Sequence, residues 1–165
     1  MKIHIEAAAR LRLSLKAGRE TGEGAGALFY AEDTGRFLLL LRSDEGDEPN
    51  TWCGLGGGRD RLPSGKFETL EECVRREAYE EAGFSKDEPC DLHLIAQDVQ
   101  PDGFKFTNYL ALVPTEFKPV LNDEHKTYKW LKWDQFPYNM HPKMMAVLKS
   151  KLGRLILRKH CDVPF

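Results

Sequence analysis

Glu77, Glu80 and Glu81 stand in the run Arg76-Glu77-Ala78-Tyr79-Glu80-Glu81-Ala82-Gly83-Phe84 with the spacing i, i+3, i+4. That spacing puts all three carboxylates on one side of a helix, because a turn takes about 3.6 residues. Leu70, Cys73 and Val74 fall on the same face at helical periodicity, so the helix turns its acids toward the interior. Ordinary surface glutamates sit opposite the apolar stripe and pair with a base four residues on, as Glu71 can with Arg75 and Glu72 with Arg76. Glu77 and Glu81 have no such partner at that spacing. They also lie in the last turns of the helix, where the macrodipole disfavours anions by about 0.3–1 kcal/mol each. Like charges gathered there need a cation, and oxygen-only ligands favour hard ions, Mg²⁺ first and Mn²⁺ or Ca²⁺ after it. The same residues also read as a solvated acidic helix end capped by Gly83.

The elements that must hold this helix are legible around it. Thr69 is the expected N-cap, with Glu72 three residues on, and Gly83 the stop, giving a helix over about 69–82. Upstream, Ala27-Leu28-Phe29-Tyr30, the turn residues Asp33-Thr34-Gly35 and Phe37-Leu38-Leu39-Leu40-Leu41 predict a hairpin with a well-buried second strand. A polar loop, Ser43 to Asn50, leads to Trp52 and the glycines Gly56-Gly57-Gly58. Later strands are expected at Leu92–Asp98, Phe104–Val113 and Tyr128–Trp133. Pro137 and Pro142 frame a loop, and Met144, Leu148, Leu152 and Leu155 mark a closing amphipathic helix, in which Gly153 is an unfavourable residue for continuity. Residues 4–17 carry Ile5, Ala8, Leu11 and Leu15 at helical spacing, though Ile3-His4-Ile5 equally starts a strand. Strands, helix, strands, helix, with hairpin-like links, favour a mixed sheet covered by helices.

At 165 residues and 41% hydrophobic, the chain is expected to be one domain, 1–165, in which residues 1–20 form an N-terminal extension. A formal charge of −2 recommends neither a nucleic-acid nor a membrane partner. The basic segment Lys143, Lys149, Lys151, Arg154, Arg158 and Lys159 reads as a solvated helix face or as a seat for a phosphorylated partner. Cys53, Cys73, Cys90 and Cys161 form no C-x-x-C pair, and no apolar leader or membrane-length span is present, so a cytoplasmic location with reduced thiols is expected. Cys73 belongs to the apolar stripe, while Cys53 beside the glycines is a candidate reactive thiol. Trp52, Phe104, Phe106 and Tyr109 are either core or a surface for stacking a base; alternation puts Phe104, Phe106 and Asn108 on one sheet face.

From Glu68 to Phe84 the chain resembles the Nudix hydrolases, whose signature is G-x5-E-x7-R-E-U-x-E-E-x-G-U with U an apolar residue. Glu68, seven intervening residues and the run from Arg76 to Phe84 fit, with Ala78 and Phe84 at U positions. The departure is upstream, where the signature glycine position holds Leu62. Taking Gly57 or Gly58 as that glycine requires an insertion of five or four residues within Arg61-Leu62-Pro63-Ser64-Gly65, which loops tolerate and which leaves the role of Glu68 open.

The resemblance implies an α/β/α sandwich with a mixed β-sheet and hydrolysis of a diphosphate in a nucleoside diphosphate derivative: a nucleoside triphosphate, a nucleotide sugar or a dinucleoside polyphosphate. By the same resemblance Mg²⁺, with Mn²⁺ as the alternative, would be held by Glu77, Glu80, Glu81 and the Gly57 carbonyl, with Arg76 orienting Glu77. The general base would be Glu77 or Glu124, the latter in the polar segment Asn122-Asp123-Glu124-His125. A catalytically silent nucleotide-binding regulatory module on the same fold is the alternative, as is an interaction protein whose charged ends meet partners. Isomerisation through a Cys and Glu pair is a remoter one, since the residues around Cys53 do not resemble that subfamily. A homodimer is the commonest assembly for a chain of this kind.

Overall fold

The structure, a computed structural model, describes residues 21–165, so the helix-or-strand expectation for residues 4–17 and the N-terminal extension lie outside the described residues. A seven-stranded mixed sheet forms the middle layer. Strand β1 (Glu23–Ala31) is its axis, pairing in parallel along its whole length with β6 (Lys105–Val113), which pairs antiparallel with β5 (Asp91–Val99). The other edge of β1 is shared. Its C-terminal half pairs with β2 (Arg36–Arg42) through the expected hairpin, and its N-terminal half pairs with β4 (Leu55–Gly58). Strands β1 and β2 therefore diverge, and β4 with the short β3 (Trp52–Cys53), which pairs with β2, fills the wedge. β7 (His125–Leu131) closes the far edge of β2.

The two faces of β1 explain the layers. Ala25, Ala27 and Phe29 point to one side, where α1 (Leu70–Ala82) buries Cys73, Val74, Ala78 and Ala82 against them. Leu28 and Tyr30 point to the other, under α2 (Pro142–Lys149) and α3 (Lys151–His160). The result is the expected α/β/α sandwich. No helix among the described residues is long and apolar enough to cross a membrane.

Local structure fills in the sequence expectations and corrects two of them, the closing helix and the end of the last strand. The glycine run is a strand: Gly24 faces Gly58 and Gly26 faces Gly56, and a Cβ on Gly56 would overlap the Gly26 backbone, so the two strands meet only because neither carries a side chain there. Pro137 and Pro142 frame a loop as expected, and Pro142 also opens α2, where its missing N–H is no loss. The closing helix is two helices broken at Ser150, whose Oγ donates to the Val147 carbonyl (2.8 Å) and accepts from the Gly153 N–H (3.0 Å). Because of that break the register rotates, burying Gly153 and Leu157 and leaving Leu152 and Leu155 exposed. The last strand also ends at Leu131, and Trp133 starts a short 3₁₀ turn.

Candidate active site

Helix α1 begins and ends as its caps dictate. Thr69 Oγ1 accepts from the Glu72 N–H (3.1 Å) while Glu72 Oε2 accepts from the Thr69 N–H (2.7 Å), and Gly83 takes the left-handed conformation at φ 67°. Glu72 is thereby used up at the cap. Arg75 spends its guanidinium on the Lys86, Glu88 and Cys90 carbonyls, so neither surface pair expected from the i, i+4 spacing forms.

Arg76 instead turns inward and organises the site. Its Nη2 meets Glu68 Oε1 at 2.6 Å and the Gly58 carbonyl at 2.7 Å, its Nε meets both Glu68 oxygens, and its Nη1 lies between Glu77 Oε1 (2.7 Å) and Glu80 Oε2 (3.2 Å). Glu77 therefore does have a basic partner, one residue before it in sequence. Glu68, whose role the insertion left open, is 3% exposed and is the anchor of this guanidinium. The inserted loop returns it there: the Leu62 N–H donates to the Lys66 carbonyl (2.7 Å), Arg61 bridges Phe67, and Asp60 and Glu68 close the loop by backbone and side-chain bonds. The extra residues make a closed hairpin of their own, so the spacing seen by the rest of the site is unchanged.

Glu77 and Glu81 are buried, 6% and 3% exposed, while Glu80 keeps a third of its side chain in solvent. Glu81 Oε2 accepts from the Gly56 N–H at 3.1 Å, and a Cβ on Gly57 would overlap the Glu77 carboxylate. Strand β4 can lie against α1 here only as glycine. Glu124, carried on the loop before β7 and held by Asn122, joins the same cluster: its charge raises both Glu77 and Glu81. Arg42, at the end of β2, is the counter-charge that sequence reading missed, pulling Glu81 and Glu124 back down. A lone arginine directly after five apolar residues of a buried strand was the available signal.

Burial dominates the electrostatics. Desolvation pushes Glu77 up to about 7 against the pull of Arg76, with Glu80 and Glu124 adding to the rise. Desolvation also carries Glu81 well above the usual carboxylate range, and Glu124 upward. Cys53 is pushed up to about 12 by burial, which removes it as a reactive thiol at neutral pH.

Five carboxylates, Glu68, Glu77, Glu80, Glu81 and Glu124, thus share two guanidiniums, Arg76 and Arg42. The surplus is negative and its donors are hard oxygens, joined by the Gly57 carbonyl, against which the Cys73 thiol lies at 3.6 Å. Among the described residues no three acids, histidines or cysteines already enclose an ion, since Arg76 stands between Glu77 and Glu80. The donor chemistry fits a hard divalent cation.

A pH signature follows. Without a cation, folded Glu77 holds a proton up to about pH 7, whereas the unfolded chain releases it near 4.5. Stability from this group is complete below 4.5 and is lost as pH rises through 7. His125, lowered to about 4 by burial, works oppositely, adding stability as pH rises toward 6.5. The Glu77 contribution is therefore read as a difference: in EDTA, Glu77→Gln should gain thermal stability over wild type between pH 5 and pH 8. A difference that stays flat across that range would contradict the buried-carboxylate reading.

A cavity of about 430 Å³ is lined by Phe104, Phe106 and Asn108 and also by Gly56 and Gly57, the two glycines that lie against Glu81 and Glu77. Trp52 and Tyr109 are not part of it; each is buried in one of the two cores.

The sequence matches a family model described as NUDIX domain over residues 20–151. Similar solved structures include a MutT NUDIX hydrolase from Burkholderia pseudomallei, 25% identical, covering 78% of this chain and 96% of that one, with a TM-score of 0.60. An Ap4A hydrolase of C. elegans, solved as a binary complex, is 24% identical over 82% of this chain and 93% of its own, TM-score 0.57. The NUDIX domain of Shewanella oneidensis NrtR, complexed with ADP ribose, is 17% identical, with coverages of 82% and 87% and a TM-score of 0.60.

Proposed function

The chain belongs to the NUDIX family and is a Nudix hydrolase acting on phosphoanhydride bonds, and from that premise we propose that it hydrolyses, with Mg²⁺, the diphosphate of a nucleoside diphosphate derivative. The observation that carries this reading is the burial of Glu77 and Glu81 against glycine strand β4, in a cluster whose negative charge two arginines do not balance. Glu77, Glu80, Glu81 and the Gly57 carbonyl would hold the ion, which when bound supplies charge neutralisation for the diphosphate oxygens and acidity for a water. Mn²⁺ has the same donor preference.

The protein's own groups do the rest. Glu68 fixes Arg76, and Arg76 fixes Glu77, so that the donors are oriented before substrate arrives. Water attacks phosphorus, the bridging P–O bond breaks, and the water proton passes to a Glu124 carboxylate oxygen. Glu124 would take that role, because burial raises its proton affinity while Glu77 is held by Arg76 and would be a ligand of the ion. Arg42, at the cavity wall, would meet the phosphates of the substrate. The free cysteines agree with a cytoplasmic setting.

The test is product release from nucleoside triphosphates, nucleotide sugars, ADP-ribose and diadenosine polyphosphates, in Mg²⁺ or EDTA, for wild type and Glu80→Gln. Metal-dependent turnover that collapses in the variant is expected. Folded wild-type protein that binds a nucleotide but turns over nothing would instead make the chain a regulatory module.

A further inference from the structure

We propose that Asn108 and Asp98 select the base of the substrate by reading an exocyclic amino group beside an unprotonated ring nitrogen, the edge shared by adenine and cytosine. This rests on the nucleotide reading above and deepens it.

Asn108 is 8% exposed, lines the cavity, and among the described residues its amide has no hydrogen-bond partner. That amide borders the cavity, where the polar edge of a ligand can answer it. Its neighbours cannot. The residue beside it on β1 is Gly26 and the one opposite on β5 is Ala96, so Asn108 sits in a notch between the two smallest side-chain positions. Phe106, two residues back on the same face, fills the floor: its ring lies 3.0 Å from where a Cβ of Gly26 would be, and Phe104 lies equally close to Gly24. Glycine at 24 and 26 thus makes room for two aromatic rings that wall the cavity, a surface on which a planar base stacks.

The amide presents one acceptor and one donor side by side, which matches an amino N–H next to a ring nitrogen. An amide alone can flip to suit an oxo base. Asp98 removes that freedom. It pairs across the strands with Phe106, lines the same cavity, and stands diagonal to Asn108, roughly 7–8 Å away between backbones. A carboxylate accepts hydrogen bonds and offers none, so it welcomes the second amino hydrogen and repels a carbonyl oxygen. The same cavity is lined by Gly56 and Gly57, which lie against Glu81 and Glu77, so a nucleotide stacked on the aromatic rings would have its diphosphate within reach of the carboxylate cluster.

Equilibrium binding of AMP, IMP, CMP and UMP in EDTA tests the inference without any turnover. Wild type should bind AMP about tenfold more tightly than IMP, or CMP than UMP, since a good bidentate base contact is worth about that much. The first preference assigns a purine and the second a pyrimidine. Asn108→Leu should weaken the preferred nucleotide about tenfold, and the exposed Asp98→Asn should bring the amino-to-oxo ratio under twofold. Equal binding of amino and oxo bases by wild type overturns the inference, as does an unchanged ratio in Asp98→Asn, whether or not Asn108→Leu folds. Base discrimination without turnover on the substrate panel would sink the hydrolase reading and leave this one standing. Turnover without discrimination would do the reverse.

Discussion

Glu81→Gln is expected to lower metal-dependent turnover about a thousandfold, the scale seen when one preorganised electrostatic partner of a reacting centre is lost. The same change should raise the thermal midpoint of the metal-free protein at pH 8. Both effects come from one fact: the Glu81 carboxyl is buried beside the charges of Glu77 and Glu124, which outweigh the Gly56 N–H and the charge of Arg42 that favour its ionised form. Its proton affinity in the fold lies above that in the unfolded chain, so its stabilising share is present at acid pH and lost as pH rises. Glutamine keeps an oxygen for the Gly56 N–H and does not titrate. Its advantage over wild type should therefore vanish near pH 4.5, and melting curves in EDTA at several pH values measure it. A variant that is inactive and also less stable at pH 8 would mean that Glu81 is held for structure, with its charge already compensated.

Arg76→Gln is expected to cost about 3–5 kcal/mol of folding stability, because it strands the Glu68 and Glu77 carboxylates in the interior. Turnover should fall with it, since Glu77 loses the bond that aims it. Removing charge from both sides separates the two effects. Arg76→Leu with Glu68→Leu should recover much of the stability, as apolar replacements of buried ion pairs commonly do, and remain inactive. Urea denaturation of the single and double variants decides this. A single-variant loss below about 1 kcal/mol would place the guanidinium in the weak class of solvent-screened pairs.

The two halves of the molecule were unequally legible. Helix α1, its caps and its inward acids were written in local sequence, because capping and helical periodicity act over three or four residues. The hairpin of β1 and β2 and the strands β5 and β6 were equally plain from apolar runs and turn residues. The break at Ser150 was half visible: Gly153 marked it, but only the hydroxyl bonded both ways fixed its position.

What the sequence by itself determined is the helix with its three carboxylates, and hence the chemistry of the site. Only the tertiary structure decided which groups face them. Glu68 reaches Arg76 because an inserted hairpin folds back on itself, Glu124 and Arg42 arrive from distant strands, and the glycines become β4 because β1 and β2 diverge. Each of these is a contact between segments far apart in the chain, created by sheet register and burial. No local spacing encodes them, so a reading confined to neighbours could name the donors but not the field in which they sit.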